Sequence, residues 1–465
     1  MRSLCPSFHA KLQACLMLAF AVLATGAVSC SSDVAVAPEP AVQGGVNSDV
    51  NDASSIVVTN TAELVAALVP DNSGRKILVR SGTYDITQKL VVPDGVTLAG
   101  EGEMLVDGSG LPTGFAAGTR TTIRMTANLL GDVLTLGNGV SLRDIAIEDL
   151  PGRTGSVIAV NSRAAGDSIS AVITDVEITV PNIHAIVLTG PSGCGVTMVT
   201  QSPHTGATVS ATMTRTLIHS PAPGTGCGIF AFNFASLANV SVDMRDNVLG
   251  GGMIANGGVS RPVAVHDSRT VVQSRGNLYI DDSPDPCVSK RVAWNLSGGS
   301  GVPAPIQIGE TTGNSLRVHS QDDRIEAFTL GILATGGRRF FALPIAGPVT
   351  DNTIDLNLIG ANISTSSCGA ALPGTDFRIA GALVTNASVV PGDRNTVHAV
   401  FRNVTGSGTR TNFYTDVLGP AGPVVNPALQ GTGNHLEFAG SLKAFEQTNS
   451  GIDPLPGIQF FSGGK

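Results

Sequence analysis

The sequence predicts an all-β solenoid: a long stack of short-stranded coils, closed at its N-terminal end by one small helix. Three observations carry that expectation. Charged residues make up only 14% of the chain and aromatics 4%, while glycine supplies 56 of 465 residues; an ordinary soluble domain is about 25% charged. With plentiful Val, Ile, Thr and Asn, that balance suits pleated strands joined by tight turns. Next, one pattern recurs: a short apolar-alternating strand, an Asn, Asp or Gly turn, then another short strand. Finally, the one convincing helical signal lies near the start, where a helix can cover the open edge of a stack.

The organising stretch runs from Ser54 to Val106. Ile56–Val58 is a β-branched run and reads as a strand. Asn60 to Leu68 reads as a helix: Asn60 is a good N-cap, Glu63 gives capping-box spacing, and Leu64, Ala67 and Leu68 share one apolar face. Lys76 to Arg80 reads as a second strand, closed by the turn Ser81-Gly82-Thr83. Ile86, Leu90, Val92, Val96 and Leu98 follow, separated by the turns Pro93-Asp94-Gly95 and Gly100-Glu101-Gly102. The pieces TAELVAAL, ILVRSGTYDI and LVVPDGVTLAGEG resemble the opening module of the right-handed parallel β-helix (pectin lyase-like) superfamily. The resemblance is close over this stretch and lies in rhythm alone beyond it. It implies a right-handed parallel β-helix and brings no catalytic residue with it, because the matching pieces are structural.

Beyond Val106 the recurring units are SLRDIAIED from Ser141, AVITDVEIT from Ala171, VDMRDNVLG from Val242, VVQSRGNLY from Val271, NTIDLNLIG from Asn352 and NTVHAVFRN from Asn395. Recurrence at roughly 30 to 45 residues marks a repeat architecture of roughly nine to eleven coils. Excursions are expected at Gly190–Ala207, Ile280–Ser300 and Gly337–Pro348. A β-propeller or sandwich is the alternative, but the blade motifs of propellers are missing.

The ends point to export. Arg2 and Lys11 precede an apolar run, Leu12 to Val28, that finishes in small residues, as a signal peptide does. Ala27-Val28-Ser29-Cys30 resembles a bacterial lipobox, which implies lipidation of Cys30 and, with Ser31 next, an outer-membrane or cell-surface location. The motif prefers Leu where this chain has Ala27, so an ordinary secretory signal cut at Ala-Val-Ser stays as the alternative. The expected organisation is a signal peptide over 1–30, a flexible tether over 31–55, the β-helix over 56–438 and a C-terminal cap over 439–465, with Phe445, Phe460 and Phe461 folding over the last coil. Four cysteines remain, Cys194, Cys227, Cys287 and Cys368; outside the cytoplasm they allow two disulfides in three pairings. None has zinc-site spacing, and no second apolar run is long enough to cross a membrane. The net charge of −8 and the lack of a recognition motif argue against nucleic acid.

Three stretches could carry chemistry. ATMTRTLI, SVDMRDNV and VVQSRGNL align at a thirty-residue offset, which places Arg215, Arg245 and Arg275 at equivalent positions on strands about 4.8 Å apart. Such a row is repulsive unless paired, and Asp243 and Asp246 flank its middle member. An outward arginine stripe would take the carboxylates or sulfates of an acidic polysaccharide; a solvated Arg/Asp ladder is the plainer alternative. NGGVSRPVAVHDSR gathers Arg261, His266, Asp267 and Arg269 as candidate catalytic residues: His beside Asp as a general base, Arg to stabilise a carboxylate or enolate. The same residues could simply fix a loop. Arg261-Pro262 lacks the Arg-x-Pro-x-x-Arg spacing of pectate lyases, so no lyase role transfers. Asp322-Asp323 offers paired carboxylates for glycoside hydrolysis, similar to those of polygalacturonases. That family's Asn-Thr-Asp, Gly-His-Gly and Arg-Ile-Lys companions are missing, and Arg324-Ile325-Glu326 ends in the opposite charge.

Asp281, Asp282 and Asp285 could hold Ca²⁺ through oxygen ligands, though without an EF-hand or nonapeptide spacing; no cofactor is expected otherwise. His184, His219 and His398 read as surface or core positions. No glycine loop opens a helix, and no Gly-x-Ser-x-Gly elbow occurs. The expectation is therefore an exported surface lipoprotein that binds an acidic polysaccharide without catalysis. A polysaccharide lyase or glycoside hydrolase is the first alternative, a structural or adhesive surface protein the second.

Overall fold

The computed structural model describes residues 55–153, 155–181, 185–187, 190–221, 227–260, 263–289, 291–301, 309–339, 348–369, 374–384, 393–408, 410–419, 422–423, 433–440, 452–453 and 460–461. The signal peptide, Cys30, nearly all of the tether, Arg261, Pro262, His184 and Phe445 lie outside the described residues. Among the described residues, strands pair in parallel along two long sheets, one of 21 strands and one of 13, apart from one antiparallel pairing at Leu418–Pro423, and the chain is a parallel β-helix.

One coil shows the plan. The long strand Asn239–Arg245 turns through Asp246 and Asn247 into the short strand Val248–Gly250, both in the first sheet. The chain crosses to Met253–Asn256 in the second sheet, then to the two-residue strand Val265–His266 in a small third sheet. It bends again at Asp267 and Ser268 and enters Arg269–Arg275, in register with the strand where the coil began. Partners are 30 residues apart here, from Asn239 to Arg269, and 46 apart from Arg269 to Ser315. Insertions thus change the loops and leave the strand register alone. Stacking in register makes columns: Ile77, Leu98, Leu142, Ile173, Met213 and Met244 form one, all buried.

Both bends follow one rule. The first bend residue takes a left-handed backbone, as at Asp246 (φ 54), Gly276 (φ 64) and Asp322 (φ 56) in one corner and Asp267 (φ 53), Gly313 (φ 68) and Asp351 (φ 56) in the other. Asp and Gly tolerate that conformation. The next residue turns inward and is buried: Asn247, Asn277 and Asp323 in the first corner, Ser268, Asn314, Asn352, Asn395 and Asn434 in the second. A buried N–H needs an acceptor, and the next coil's side chain supplies it. Asn314 donates its N and Nδ2 to Asn352 Oδ1 at 3.1 and 3.0 Å, and Asn352 donates likewise to Asn395 Oδ1 at 3.1 and 3.0 Å. The second sheet leaves room for this ladder with glycine. A Cβ on Gly299 would come within 2.3 Å of Asn352 Cγ.

The helix forms at the expected place, Thr61–Ala67, with Asn60 Oδ1 accepting from Glu63 N at 3.0 Å. Glu63 reaches Thr59 N and Oγ1, both at 2.8 Å, one residue upstream of the capping-box target. At the far end Phe460–Phe461 pairs in parallel with Phe438 and Ala439.

Two expected excursions contain second-sheet strands instead: Cys194–Thr200 and Val292–Gly301. The reason is burial on both faces, which removes the period-two alternation that marks a half-exposed strand. Ile229 and Ala231 join the main core, while Phe230, Phe232 and Phe234 on the other face pack with Val199, Ile254 and Val259 in a separate apolar cluster. The disulfide Cys194–Cys227 belongs to that cluster and joins in-register neighbours; the second disulfide is Cys287–Cys368. Of Gly337–Pro348, the strand Leu330–Arg339 takes the start, and 340–347 lie outside the described residues.

Candidate functional site

The outer face of the long strands is an extended polar surface among the described residues. Residues alternate inward and outward along each strand. The outward positions of Thr208–Thr214 are Thr208, Ser210, Thr212 and Thr214; those of the next strand are Asn239, Ser241, Asp243 and Arg245; those of the third are Arg269, Val271, Gln273 and Arg275. All are half-buried or exposed, so the strands present rows of hydroxyl, amide and guanidinium groups.

The arginine row needs one correction. Arg245 and Arg275 are in-register neighbours, but the residue in register with Arg245 on the strand before is Thr214. Arg215 sits one place further on, in the left-handed bend (φ 47). The true offset there is 31 residues, because that coil is one residue longer than the next. Arg215 is bound to Asp175 of the preceding coil, Nε to Oδ1 at 2.7 Å and Nη2 to Oδ2 at 2.6 Å. Asp144 lies one coil further back in the same corner, and its carboxyl is pushed up to about 6 by burial, opposed by Arg143, raised again by Asp175 and opposed by Arg215. Arg245 donates Nε and Nη2 to Asp243 at 3.3 and 3.1 Å. Arg245, with its guanidinium on Asp243, and Arg275 therefore form an exposed in-register pair, and Arg215 leaves the row.

The described members of the candidate catalytic set do not converge. His266 lies in the third sheet, with Nε2 3.4 Å from Glu310 Oε1. Asp267 is the left-handed bend residue, its carboxylate over Gly313, and Arg269 opens a long strand on the outer face. His266 and Asp267 are adjacent in sequence and share no hydrogen bond, since the bend sends their side chains apart.

Asp322-Asp323 is likewise a bend. Asp322 holds the left-handed position and Asp323 is fully buried at a ladder rung, accepting from Asn277 N at 2.9 Å and Ser320 Oγ at 2.6 Å. The proposed calcium ligands serve an internal cation. The buried Arg291 places Nη1 3.2 Å from both Asp281 Oδ1 and Asp282 Oδ1. Burial raises the Asp282 carboxyl, against the Ser220 N–H and the Arg291 charge. Asp285 accepts from Cys287 N at 2.8 Å and so caps a short turn. No group of three or more His, Cys, Asp or Glu able to hold a metal ion occurs among the described residues.

One outer-face feature escaped the sequence reading. Arg317, Asp355, His398 and Glu437 occupy one row on successive coils. Arg317 Nη2 is 3.3 Å from Asp355 Oδ2, and His398 stands between Asp355 Oδ1 (2.9 Å from Nδ1) and Glu437 Oε2 (3.4 Å from Nε2). The signal was the shared position of these residues, three after Asn314, Asn352, Asn395 and Asn434, visible only once those asparagines are recognised as rungs.

No family model and no curated protein matches the chain. Among solved structures, the catalytic unit of a thermostable GH87 alpha-1,3-glucanase from Streptomyces thermodiastaticus strain HF3-3 is similar over 87% of this chain and 70% of that chain, at 15% identity and a TM-score of 0.28. At that distance the likeness transfers no activity and no residue role.

Proposed function

We propose that the chain is an exported, lipid-anchored β-helix that binds an acidic polysaccharide along the outer face of its long strands, without cleaving it. The observation that carries this reading is the in-register pair Arg245 and Arg275 on an exposed face lined mainly by Ser, Thr, Asn and Gln, where Asp243 is the one carboxylate of these three strands and is already paired with Arg245. A polar surface of repeating in-register rows suits a stiff extended polymer. Guanidinium groups suit its carboxylates or sulfates. The absence of turnover is supported by where the carboxylates and His266 are spent: on bends, on Arg291 and on Glu310. The two disulfides support an oxidising compartment, and Cys30 would attach the body through the 31–55 tether.

Affinity electrophoresis through gels carrying an acidic or a neutral polysaccharide tests the reading. The protein should be retarded by the acidic polymer alone, and less so as salt rises. Arg245→Ala/Arg275→Ala should weaken retention by about tenfold or more, the worth of one or two charge-assisted hydrogen bonds. Unchanged retention in the double variant defeats the arginine site. Release of unsaturated products or new reducing ends, abolished by His266→Ala, defeats the non-catalytic reading and installs the lyase or hydrolase.

A further inference from the structure

The first-corner ladder runs from Thr216 through Asn247 and Asn277 to Asp323. Thr216 N donates to Asn247 Oδ1 at 2.8 Å; Asn247 N and Nδ2 donate to Asn277 Oδ1 at 2.9 and 2.7 Å; Asn277 N and Nδ2 donate to Asp323 Oδ1 at 2.9 and 3.2 Å. Each asparagine also uses its Nδ2 as a donor elsewhere. Asn247 Nδ2 reaches Met213 O at 3.2 Å, and Asn277 Nδ2 reaches Met244 O at 3.1 Å and Ser274 Oγ at 2.9 Å. At Asp323 the second atom is an oxygen, Oδ2, 2.6 Å from Ser320 Oγ. Ser320 stands to Asp323 as Ser274 stands to Asn277, three residues earlier in the strand. These two serines interrupt the apolar column between Met244 and Leu358. The ladder ends there, since the next coil offers Ala361.

The surroundings are otherwise apolar. Asp323 is 0% exposed, and among the described residues no Lys, Arg or His stands within ion-pair distance of it. The titratable group facing it is Tyr279, on the preceding coil, whose hydroxyl lies 2.8 Å from Ser274 Oγ. Its chain neighbours turn away: Asp322 is exposed over Gly360, and Arg324 reaches toward Glu326 at 4.0 Å.

We propose that Asp323 is a proton-operated rung. The corner closes when the carboxyl is protonated and donates from Oδ2 to Ser320 Oγ, as an asparagine amide would, and it loosens when the carboxylate is ionised. Burial pushes this carboxyl up to about 6, against the pull of its hydrogen bonds from Ser320, Ser274 and Asn277. An unfolded chain would ionise it near the ordinary 3.8. Between those values the folded form holds a proton that the unfolded form has lost. The stabilisation is complete below the lower value and gone once pH rises through about 6. The Asp323 rung is thus tightened by acid, whatever the other carboxylates of the chain contribute.

Thermal unfolding of the full chain and of Asp323→Asn, compared between about pH 4 and about pH 7.5, tests this. The two proteins should melt together at the acid end. At the upper end the variant should melt several degrees higher, because its amide cannot ionise. Asp144 titrates in the same range in both proteins and cancels in the difference. A difference that stays constant with pH, or a variant that melts lower at the upper end, overturns the proposal. If the variant does not accumulate, hydrogen exchange in the native protein gives a second reading at the Asn277 amide. Its protection, corrected for intrinsic rate, should fall as pH rises through the Asp323 transition; constant protection overturns the proposal equally.

Discussion

The long strands of the first sheet and the strands of the second share one interior but meet opposite surroundings on their other side. Thr212, Asp243, Gln273 and His319 line an outer row of the first sheet and face solvent in part or in full. Phe230, Phe232 and Phe234 line the corresponding side of the second sheet and are buried. One sheet is a wall with a wet face; the other, between Cys194 and Val259, is a partition between two apolar clusters. A parallel sheet buried on both sides is the usual arrangement, so the wet face is the unusual one. It is where a ligand can reach rows of polar groups without displacing structure.

The sharpest way to break this comparison is Phe230→Ala. Phe230 is 0% exposed and stacks on Phe232 with ring centroids 3.8 Å apart. If the far side of the second sheet is a true core, the substitution should cost about 3–5 kcal/mol, as large-to-small changes in cores do. Urea unfolding measures it. A cost below about 1 kcal/mol, ordinary for a surface position, would mean that this side is only shielded by loops.

The same contrast explains how much was legible in the sequence. The first sheet announced itself because one wet face forces alternation, so SVDMRDNV and VVQSRGNL were readable as strands. The second sheet did not, because NLSGGSG and CGVTMVT carry no period and mimic loops. The site was half legible. The shared offset puts Arg245 and Arg275 on neighbouring rungs, but it hides the single extra residue that puts Arg215 in a bend. Asp322-Asp323 looked like catalytic carboxylates because a left-handed Asp followed by an inward polar residue reads the same in sequence whether it serves backbone or substrate. The dipeptides Asp246-Asn247, Gly276-Asn277, Gly313-Asn314 and Asp351-Asn352 carry that rule throughout the chain and would have exposed it.

A second break lies at the corner between the small third sheet and the first. The Asn352 side chain joins four hydrogen bonds, accepting two from Asn314 and donating to Thr311 O and Asn395 Oδ1. Asn352→Ala should cost about 3 kcal/mol, since it strands several buried polar groups at about 1 kcal/mol or more each. Loss of hydrogen-exchange protection should centre on Asn314, whose N–H loses its acceptor. A variant with native protection would show that the ladder is redundant with the strand hydrogen bonds and that the sheets alone hold the register.

The smallest expected effect is the most informative about function. Gln273 lies on the wet face between Asp243 and His319 in register, in the strand that also carries Arg269 and Arg275. Gln273→Ala should change stability by no more than about 0.5 kcal/mol, measured in the same urea assay as Phe230→Ala. A loss approaching that of Phe230→Ala would erase the distinction between the two faces and with it the argument for a ligand surface. If stability is kept, retention on an acidic polysaccharide decides the extent of the site. Weaker retention places the polymer along the whole strand from Arg269 to Arg275. Unchanged retention confines it to the end where Arg245 and Arg275 stack, because a side chain that bears on neither fold nor ligand must lie outside the contact.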